Sequence, residues 1–314
     1  LGGRPIRYRT MPVVEIKNLV KHYGKGQALR GVSISVEKGE IYGLLGRNGA
    51  GKTTMIKILL GIVQPTTGFA FLLDQPAGSA EARKRVGFLP EDHRFPEYHT
   101  ARSALDFYGS LYDMPRLVRL KRTAEVLDIV HLTDAADRKV RTYSKGMKQR
   151  LGLAQAMLHQ PDVYFLDEPT DGVDPVGRRE IRDLLVRLKQ EGKTIFVNSH
   201  ILSEVELIAS RVGILEQGQL VKQGTVDEVT KTTNLYELKV EGDPAPSLAA
   251  IAKTGASARQ VKGGLEVVLP DGMKIGVVID ILRQRGVEIM GVNQKKQSLE
   301  EIFIETVTGE VVEG

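Results

Sequence analysis

The chain has 314 residues and a formal net charge of +5, and 41% of its residues are hydrophobic while 26% are charged. This length and composition are typical of a globular protein with two domains. The absence of cysteine excludes disulfides, thiolate metal sites and cysteine nucleophiles. Lys and Arg are scattered along the chain instead of forming one block, so the charge does not favour a nucleic-acid partner. No apolar run approaches the roughly 18 residues that span a bilayer, so a membrane role would require a partner.

The chain begins with a basic leader and a set of predicted strands. The first ten residues carry three arginines and no apolar core, which excludes a secretory signal peptide. We expect residues 1–12 to be a disordered leader, with Met11 as a candidate natural start. Alternating apolar residues predict strands over 13–20 and 29–36, and a continuous apolar run predicts a buried strand over 40–45.

A glycine-rich loop follows the predicted buried strand and opens a segment, 54–60, with apolar residues at helical spacing. Two of its glycines enclose four residues and are followed by Lys and Thr, which is the phosphate-loop pattern. Glycines let successive N–H groups curl around phosphates at a helix N-terminus, where Lys52 would reach the β/γ-phosphates and Thr53 would ligate Mg²⁺. The sequence therefore predicts a nucleoside triphosphate site formed by Gly46, Arg47, Asn48, Gly49, Ala50, Gly51, Lys52, Thr53 and Thr54.

Between about residues 91 and 160 the pattern becomes helical, which indicates a helical insertion in an α/β domain. Apolar stripes predict helices over 101–112 and 117–132, with Pro115 between them as a breaker. A third helix is predicted to follow the polar segment that contains Ser144. Ser144 and the free N–H groups at the start of this helix would present an anion site, which we expect to meet a phosphate held by a second subunit.

Two further strands are predicted over 162–167 and 194–198. Asp167 and Glu168 stand at the end of the first, and His200 lies two residues after the second. Asp167 would hold Mg²⁺ through water, and Glu168 would polarise the attacking water. An acidic pair at a strand end is often only structural, and its association with the phosphate loop is what favours a site. His200 follows the second strand and should emerge at the same sheet edge, near the γ-phosphate. Strands that alternate with helices predict a mainly parallel sheet.

The composition changes near residue 230, where we place a domain boundary between a nucleotide-binding domain over 13–230 and a smaller domain over 231–314. The second domain has the order β, α, β, β, α, β, which is typical of a ferredoxin-like module. A capping box at 298–301 predicts a last helix over 299–307. This domain carries no catalytic constellation, so we predict an accessory or regulatory role.

The order of the motifs from residue 13 to about 230 resembles the ATP-binding-cassette (ABC) family, a P-loop NTPase fold with a mainly parallel sheet, an antiparallel β subdomain and a helical insertion. The resemblance implies that Glu168 is the catalytic glutamate and that Lys52 and His200 contact the γ-phosphate. In this family two such domains sandwich two ATP molecules, and the signature of one covers the phosphates held by the other. The remaining implied site residues are an adenine-stacking Tyr23, a metal- and water-sensing Glu91 in the coupling loop 87–91, Ser144 and Gly146 in the signature 143–147, and a dimer-contact loop over 171–175.

The chain departs from the usual family pattern at three of these positions. Glu91 stands where Gln is usual, Lys145 replaces the first signature glycine, and Met147 replaces the signature Gln. The forms Tyr143-Ser-Lys-Gly-Met147 and Leu299-Glu-Glu-Ile-Phe303 are similar to those in ATPase subunits of bacterial exporters for drugs, antibiotics, ions or polysaccharides.

The leading hypothesis is the homodimeric ATPase subunit of a membrane exporter. This subunit would bind ATP and Mg²⁺ and drive a separately encoded integral membrane permease from the cytoplasmic face of the membrane. An alternative is a non-transport, ATP-gated clamp on nucleic acid or ribosomes, although such relatives usually carry tandem cassettes or long coiled coils. A GTPase is a third reading, but the chain lacks an Asn-Lys-x-Asp segment. Phe95 and Tyr98 either pack within the helical insertion or line a groove for a permease helix.

Overall fold

The computed structural model describes residues 12–230 and 232–308, which form two compact units. Of the described residues, the first unit contains those up to Val226 and the end of the last helix from Phe303, and the second contains Asp227–Ile302. Apart from Pro12, the predicted leader lies outside the described residues. Within the described ranges, no helix combines the length and the apolar character that a membrane span requires.

The first unit alternates strands and helices after an N-terminal hairpin. Two 3-10 turns, Thr133–Ala135 and Val140–Thr142, precede its fifth helix. In chain order the elements are β1 (Val14–Tyr23), β2 (Gly26–Val36), β3 (Ile41–Leu45), α1 (Lys52–Leu59), β4 (Thr67–Leu72), β5 (Gln75–Pro76), α2 (Ala80–Arg83), β6 (Val86–Leu89), α3 (Ala101–Leu111), α4 (Arg116–Ile129), α5 (Lys145–Met157), β7 (Val163–Asp167), α6 (Pro175–Gln190), β8 (Thr194–Asn198), α7 (Leu202–Ile208), β9 (Arg211–Glu216) and β10 (Gln219–Thr225).

A six-stranded sheet in the order β10-β9-β3-β8-β7-β6 forms the centre of this unit. Its strands are parallel except for β10, which pairs with β9 in a hairpin. Every residue of β3, β7 and β8 is buried, as expected for parallel strands covered on both faces. In the register of these strands Asn198 lies opposite both Leu44 and Asp167, so their carboxyl ends meet at one edge. The predicted, mainly parallel α/β sheet is confirmed.

An antiparallel sheet in the order β2-β1-β4-β5 packs against this centre. Val14 at the start of β1 lies opposite Val36 on one side and Leu72 on the other. All three side chains are fully buried, which ties the sheet to the common core. The predicted strands at 13–20 and 29–36 are present, and both extend toward the hairpin at residues 24–25.

The helical insertion consists of α3, α4 and α5. Thr100 caps α3 by accepting a hydrogen bond from the Ser103 N–H at 3.1 Å, and Ser144 caps α5 in the same way. Phe95 is only 8% exposed and makes an edge-to-face contact with Tyr108, so it packs within the insertion rather than lining a surface groove. Tyr98, in contrast, is 72% exposed.

The second unit is a four-stranded antiparallel sheet in the order β12-β13-β11-β14, which is the ferredoxin-like arrangement predicted from the element order. Two of its helices pack on one face of this sheet, around Ile251, Leu265 and Leu282. Ser298 and Glu301 form the predicted capping box. From the division onward the elements are α8 (Val226–Val229), β11 (Thr232–Glu241), α9 (Ala245–Ala252), β12 (Ser257–Val261), β13 (Gly264–Val268), α10 (Gly276–Gln284), β14 (Glu288–Lys296) and α11 (Leu299–Thr308).

Candidate functional site

A cleft of about 580 Å³ opens at the carboxyl ends of β3, β8 and β7. Because these strands are neighbours in the sheet, the loops that follow them converge at one place. The cleft brings together residues from three predicted motifs and the coupling loop. Its lining residues are Ala28, Asn48, Gly49, Gly51, Lys52, Thr53, Thr54, Glu91, Glu168, Asp171, Asn198 and His200.

The phosphate loop turns tightly between β3 and α1. Gly51 has φ +110°, and a Cβ there would lie 2.6 Å from the carbonyl oxygen of Ala28, so both conformation and space require glycine. Lys52 begins α1, and its ammonium donates to the carbonyls of Gly46 at 2.6 Å and Arg47 at 3.1 Å. Burial lowers the pKa of Lys52, and the carboxylates of Glu168 and Asp167 oppose this shift. The loop thus places the Lys52 ammonium in the cleft.

A hydroxyl and a carboxylate face each other beside this lysine. Thr53 Oγ1 donates to Asp167 Oδ2 at 3.4 Å, and the Asn198 amide donates to Asp167 Oδ1. Burial raises the pKa of Asp167 to about 6, although the hydrogen bond from Asn198 acts in the opposite direction. The side-chain oxygen of Asn198 is buried without a hydrogen-bond partner. The Thr53 hydroxyl and the Asp167 carboxylate offer oxygen ligands, which Mg²⁺ prefers.

Glu168 occupies a left-handed backbone conformation with φ +52° directly after β7. Its N–H donates to the carbonyl of Asn198 at 2.8 Å, and its own carbonyl accepts the side-chain amide of Gln149 at 2.8 Å. The carboxylate oxygen Oε2 accepts the Ser199 hydroxyl at 3.3 Å and lies 2.8 Å from His200 Nδ1. The His200 side chain is 62% exposed, whereas that of Glu168 is 11% exposed. The two residues therefore form a contact pair whose histidine faces the open cleft.

The signature residues lie outside the cleft lining. Ser144 accepts a hydrogen bond from the Met147 N–H at 3.2 Å and so caps α5. Lys145, at the position of the missing glycine, forms an ion pair with Asp171 at 2.6 Å, and this contact lowers the pKa of the Asp171 carboxyl. A Cβ on Gly146 would lie 3.4 Å from the carbonyl of Gly172. The signature thus packs against the loop that follows Glu168.

Of the other predicted site residues, some line the cleft and some do not. Tyr23 is half-exposed, and the Lys21 ammonium lies 4.9 Å from its ring centroid. Tyr23 is not part of the cleft lining, whereas Glu91 is. Arg47, which is exposed, and Ala50, which is buried, are also outside the lining.

Sequence reasoning missed the partners of Glu168. Gln149 received no role, although it lies four and seven residues before the buried Leu153 and Ala156 and so continues an apolar helix face. A polar side chain on such a face requires a hydrogen-bond partner, and this requirement is the sequence signal that could have identified Gln149. Asn198 and Ser199 directly precede His200, but sequence spacing does not show that their side chains contact Asp167 and Glu168.

Two family models match the chain: ABC transporter over residues 29–171, and ATP-binding protein DrrA1-3-like, C-terminal domain, over 224–307. An uncharacterised ABC transporter ATP-binding protein of Nostoc sp. is 41% identical over 95% of this chain and 90% of its own length. The bacitracin transport ATP-binding protein BcrA of Bacillus licheniformis is 33% identical over 95% and 98%. A dimeric ATP-binding cassette in a post-hydrolysis state bound to ADP and Pi superposes with a TM-score of 0.64 at 25% identity, covering 68% of this chain and 99% of that one.

The chain belongs to the ABC transporter family. It is an ATP-binding and ATP-hydrolysing subunit of a transporter of this family, so the leading hypothesis from the sequence is confirmed at this level. The matches do not favour the non-transport clamp.

Proposed function

We propose that the cleft binds Mg·ATP and that two copies of the chain close on two ATP molecules. Hydrolysis of ATP, with Glu168 as the general base, would then reopen the dimer. The observation that carries this proposal is the convergence of Lys52, Asp167, Glu168 and His200 at one sheet edge. These residues come from separate sequence motifs, and together they supply a cation for the phosphates, carboxylates for a metal ion and the attacking water, and a histidine beside them.

The phosphate loop would bind the triphosphate through its backbone N–H groups and Lys52. The lysine ammonium is now held by the carbonyls of Gly46 and Arg47, so ATP would replace these contacts with charge-assisted hydrogen bonds to phosphate oxygens. Tyr23 is half-exposed and would stack on the base. Stacking does not read the guanine amino group, which favours ATP over a dedicated GTP site.

Thr53 and Asp167 would hold Mg²⁺, with Glu91 at the edge of its hydration shell. Within residues 12–230 and 232–308, no group of three or more His, Cys, Asp or Glu is arranged to bind a metal ion alone, so phosphate oxygens and water would complete the ligand set. When bound, Mg²⁺ would neutralise charge on the β- and γ-phosphates. The unpartnered oxygen of Asn198 would accept a hydrogen bond from a water at this position.

Glu168 would orient the attacking water and accept its proton, because its carboxylate lies in the cleft beside the phosphate loop. His200 would donate a hydrogen bond to the γ-phosphate while its Nδ1 stays against Glu168 Oε2. Ser199 holds the same carboxylate oxygen and would limit its rotation. Water, carboxylate and imidazole would thus be aligned without any movement of the strands.

Ser144 and Gly146 would contact the γ-phosphate held by a second copy of the chain. They lie outside the cleft of their own chain, at the N-terminus of a 13-residue helix that attracts anions. A symmetric pair would then complete two identical sites. The match to a dimeric cassette bound to ADP and Pi supports this arrangement.

The coupled partner would be an integral membrane permease, with this chain bound at the cytoplasmic face of the membrane. The similarity to a bacitracin transport protein and to a linearmycin resistance protein supports an antibiotic as the class of cargo. Cargo contacts would then reside mostly in the permease.

The experiment compares the wild-type chain with Glu168→Gln, and with Glu191→Gln as a control at an exposed position outside the cleft. Glu168→Gln should lower phosphate release by about 100-fold or more and leave ATP affinity within a factor of about two, since it removes a general base but no phosphate contact. Light scattering should detect dimers of Glu168→Gln with Mg·ATP and monomers with ADP. Wild-type turnover in this variant, or the absence of an ATP-dependent dimer, would overturn the proposal.

A further inference from the structure

Gln149 is a buried polar residue whose side chain links α5, the helix that begins in the signature, to Glu168 in the loop after β7. It is 3% exposed, lies in the second turn of α5 after the cap Ser144, and donates its side-chain amide to the main-chain carbonyl of Glu168 at 2.8 Å. It does not line the cleft, so it does not touch the nucleotide. Any effect on hydrolysis would therefore act through Glu168.

The backbone of Glu168 requires such support. A side chain other than glycine at φ +52° is strained, and residues in this region persist only when their surroundings hold them. Three main-chain hydrogen bonds fix the residue: its N–H donates to Asn198, and its carbonyl accepts from Asp171 at 3.1 Å and from Gln149. Only the bond from Gln149 comes from a helix of the insertion, and its loss would let the peptide plane relax and redirect the carboxylate.

A second contact joins the same two elements. Lys145, the first residue of α5, pairs with Asp171 in the loop after Glu168. Gly172, whose φ of +68° favours glycine, lies against the Lys145 side chain. The start of α5 and the loop over residues 168–172 are therefore held together at two points, one buried and one exposed.

We propose that Gln149 is a positioning residue that holds the Glu168 backbone, so that the orientation of the catalytic carboxylate depends on the position of α5. This inference rests on the proposed function of Glu168. Ser144 at the start of α5 is proposed to contact the ATP of the partner copy. Binding of ATP at one site would therefore affect Glu168 of the other site through α5, and the hydrogen bond from Gln149 is the direct contact of α5 with Glu168.

The first test is Gln149→Met, which keeps the length of the side chain and removes the amide donor. The rate constant kcat for ATP hydrolysis should fall about five- to thirtyfold, which corresponds to about 1–2 kcal/mol for a hydrogen bond lost from a buried acceptor. KM and the affinity for ATP should stay within a factor of about two, because no nucleotide contact is removed. The matched control is Gln155→Met, the same substitution in the same helix at a half-buried position outside the cleft lining, which should leave kcat unchanged.

A double-mutant cycle separates positioning from general destabilisation. In the Glu168→Gln background, Gln149→Met should lower the residual single-turnover rate less than twofold, because the carboxylate it positions is already absent. Gln149→Ala, which removes the donor without adding bulk, should give the same pattern and decides the matter if Gln149→Met does not fold.

Three results distinguish the failures. If Glu168→Gln itself leaves kcat unchanged, the proposed catalytic role is wrong. If Glu168→Gln is inactive but both Gln149 variants turn over at the wild-type rate, the positioning inference alone is wrong. If the losses from Glu168→Gln and Gln149→Met multiply in the double variant, Gln149 acts elsewhere and the inference is also overturned.

Discussion

Asp167 is a buried carboxyl whose ionisation opposes folding when no nucleotide is bound. Burial raises its pKa from 3.8 to about 6, so the folded protein binds the proton more tightly than the unfolded chain. The stabilising contribution of this group is present at low pH and is lost as the pH rises from about 4 to 6. At pH 7 the ionised carboxyl therefore lowers the free energy of unfolding.

Asp167→Asn should raise the stability of the nucleotide-free protein at pH 7 by about 1–3 kcal/mol, the equivalent of a shift of roughly two pKa units at most. The amide oxygen can still accept the hydrogen bond from Asn198. Thermal unfolding in the presence of a chelator measures the effect, which should disappear near pH 4. A variant equally stabilised at pH 4 and pH 7 would show that charge burial is not the cause. The same variant should lose Mg²⁺-dependent hydrolysis.

At the scale of single residues, the sequence identified the groups that carry charge but not the groups that hold them. Lys52, Glu168 and His200 were predictable because motif spacing places them on adjacent loops. The bonds from Ser199 and Gln149 to Glu168 depend on side-chain directions that spacing does not define. Phe95 shows the same limit, because its burial against Tyr108 depends on packing within the insertion.

Among the elements, α5 has a cap that we propose serves both folding and dimerisation. Ser144 accepts the Met147 N–H at 3.2 Å, and loss of such a cap costs about 1 kcal/mol. Thr100 caps α3 in the same way but lies outside the signature, so Thr100→Ala is a matched control. Both Ser144→Ala and Thr100→Ala should lower the unfolding temperature by a few degrees.

Only Ser144→Ala should weaken the ATP-dependent dimer, because only Ser144 is proposed to meet the phosphate of the partner copy. Light scattering of each variant in the Glu168→Gln background measures the difference. Undiminished dimerisation in both cap variants would show that Ser144 acts only as a helix cap. Equal loss of dimerisation would instead indicate that general destabilisation is responsible.

Elements with strong local signals were predictable, and the weakly marked ones were not. The buried strands β3, β7 and β8 appear as continuous apolar runs next to recognisable motifs. β4 was missed because only Leu72 of its six residues is buried, and its short apolar run over 69–72 shows no clear strand or helix period. β6 was missed because four residues are too few to define a period, and it is recognisable only by its pairing with β7.

At the scale of the whole molecule, each unit has its own hydrophobic core. Leu282 is fully buried in the second unit with Leu265 and Val278, so Leu282→Ala should cost about 2–5 kcal/mol in that unit. Phosphate release should stay within a factor of about two, since the cleft lies in the first unit. If the second unit has the accessory role predicted from the sequence, the affinity of the ATP-dependent dimer should change.

The matched control for Leu282→Ala is Met290→Ala, at a position of the same unit that is 64% exposed. Scanning calorimetry should show a lowered transition for Leu282→Ala alone. An unchanged dimer affinity together with unchanged turnover, despite a destabilised second unit, would contradict the accessory role. The sequence located this unit through its element order, but that order does not specify which surface of a ferredoxin-like module is used.

The closed, ATP-bound state offers a way to capture the proposed membrane partner. Glu168→Gln is expected to remain closed on Mg·ATP, and binding that depends on this state should shift with its population. We expect a tagged Glu168→Gln chain with ATP to retain a protein with several membrane spans from detergent-solubilised membranes of its host. Ser144→Ala in the same background, defective in closure, should retain less of any partner that prefers the closed state. Ribosomes or nucleic acid recovered without a membrane protein would contradict the transporter assembly, because the same ATP-driven closure would then act on a different partner.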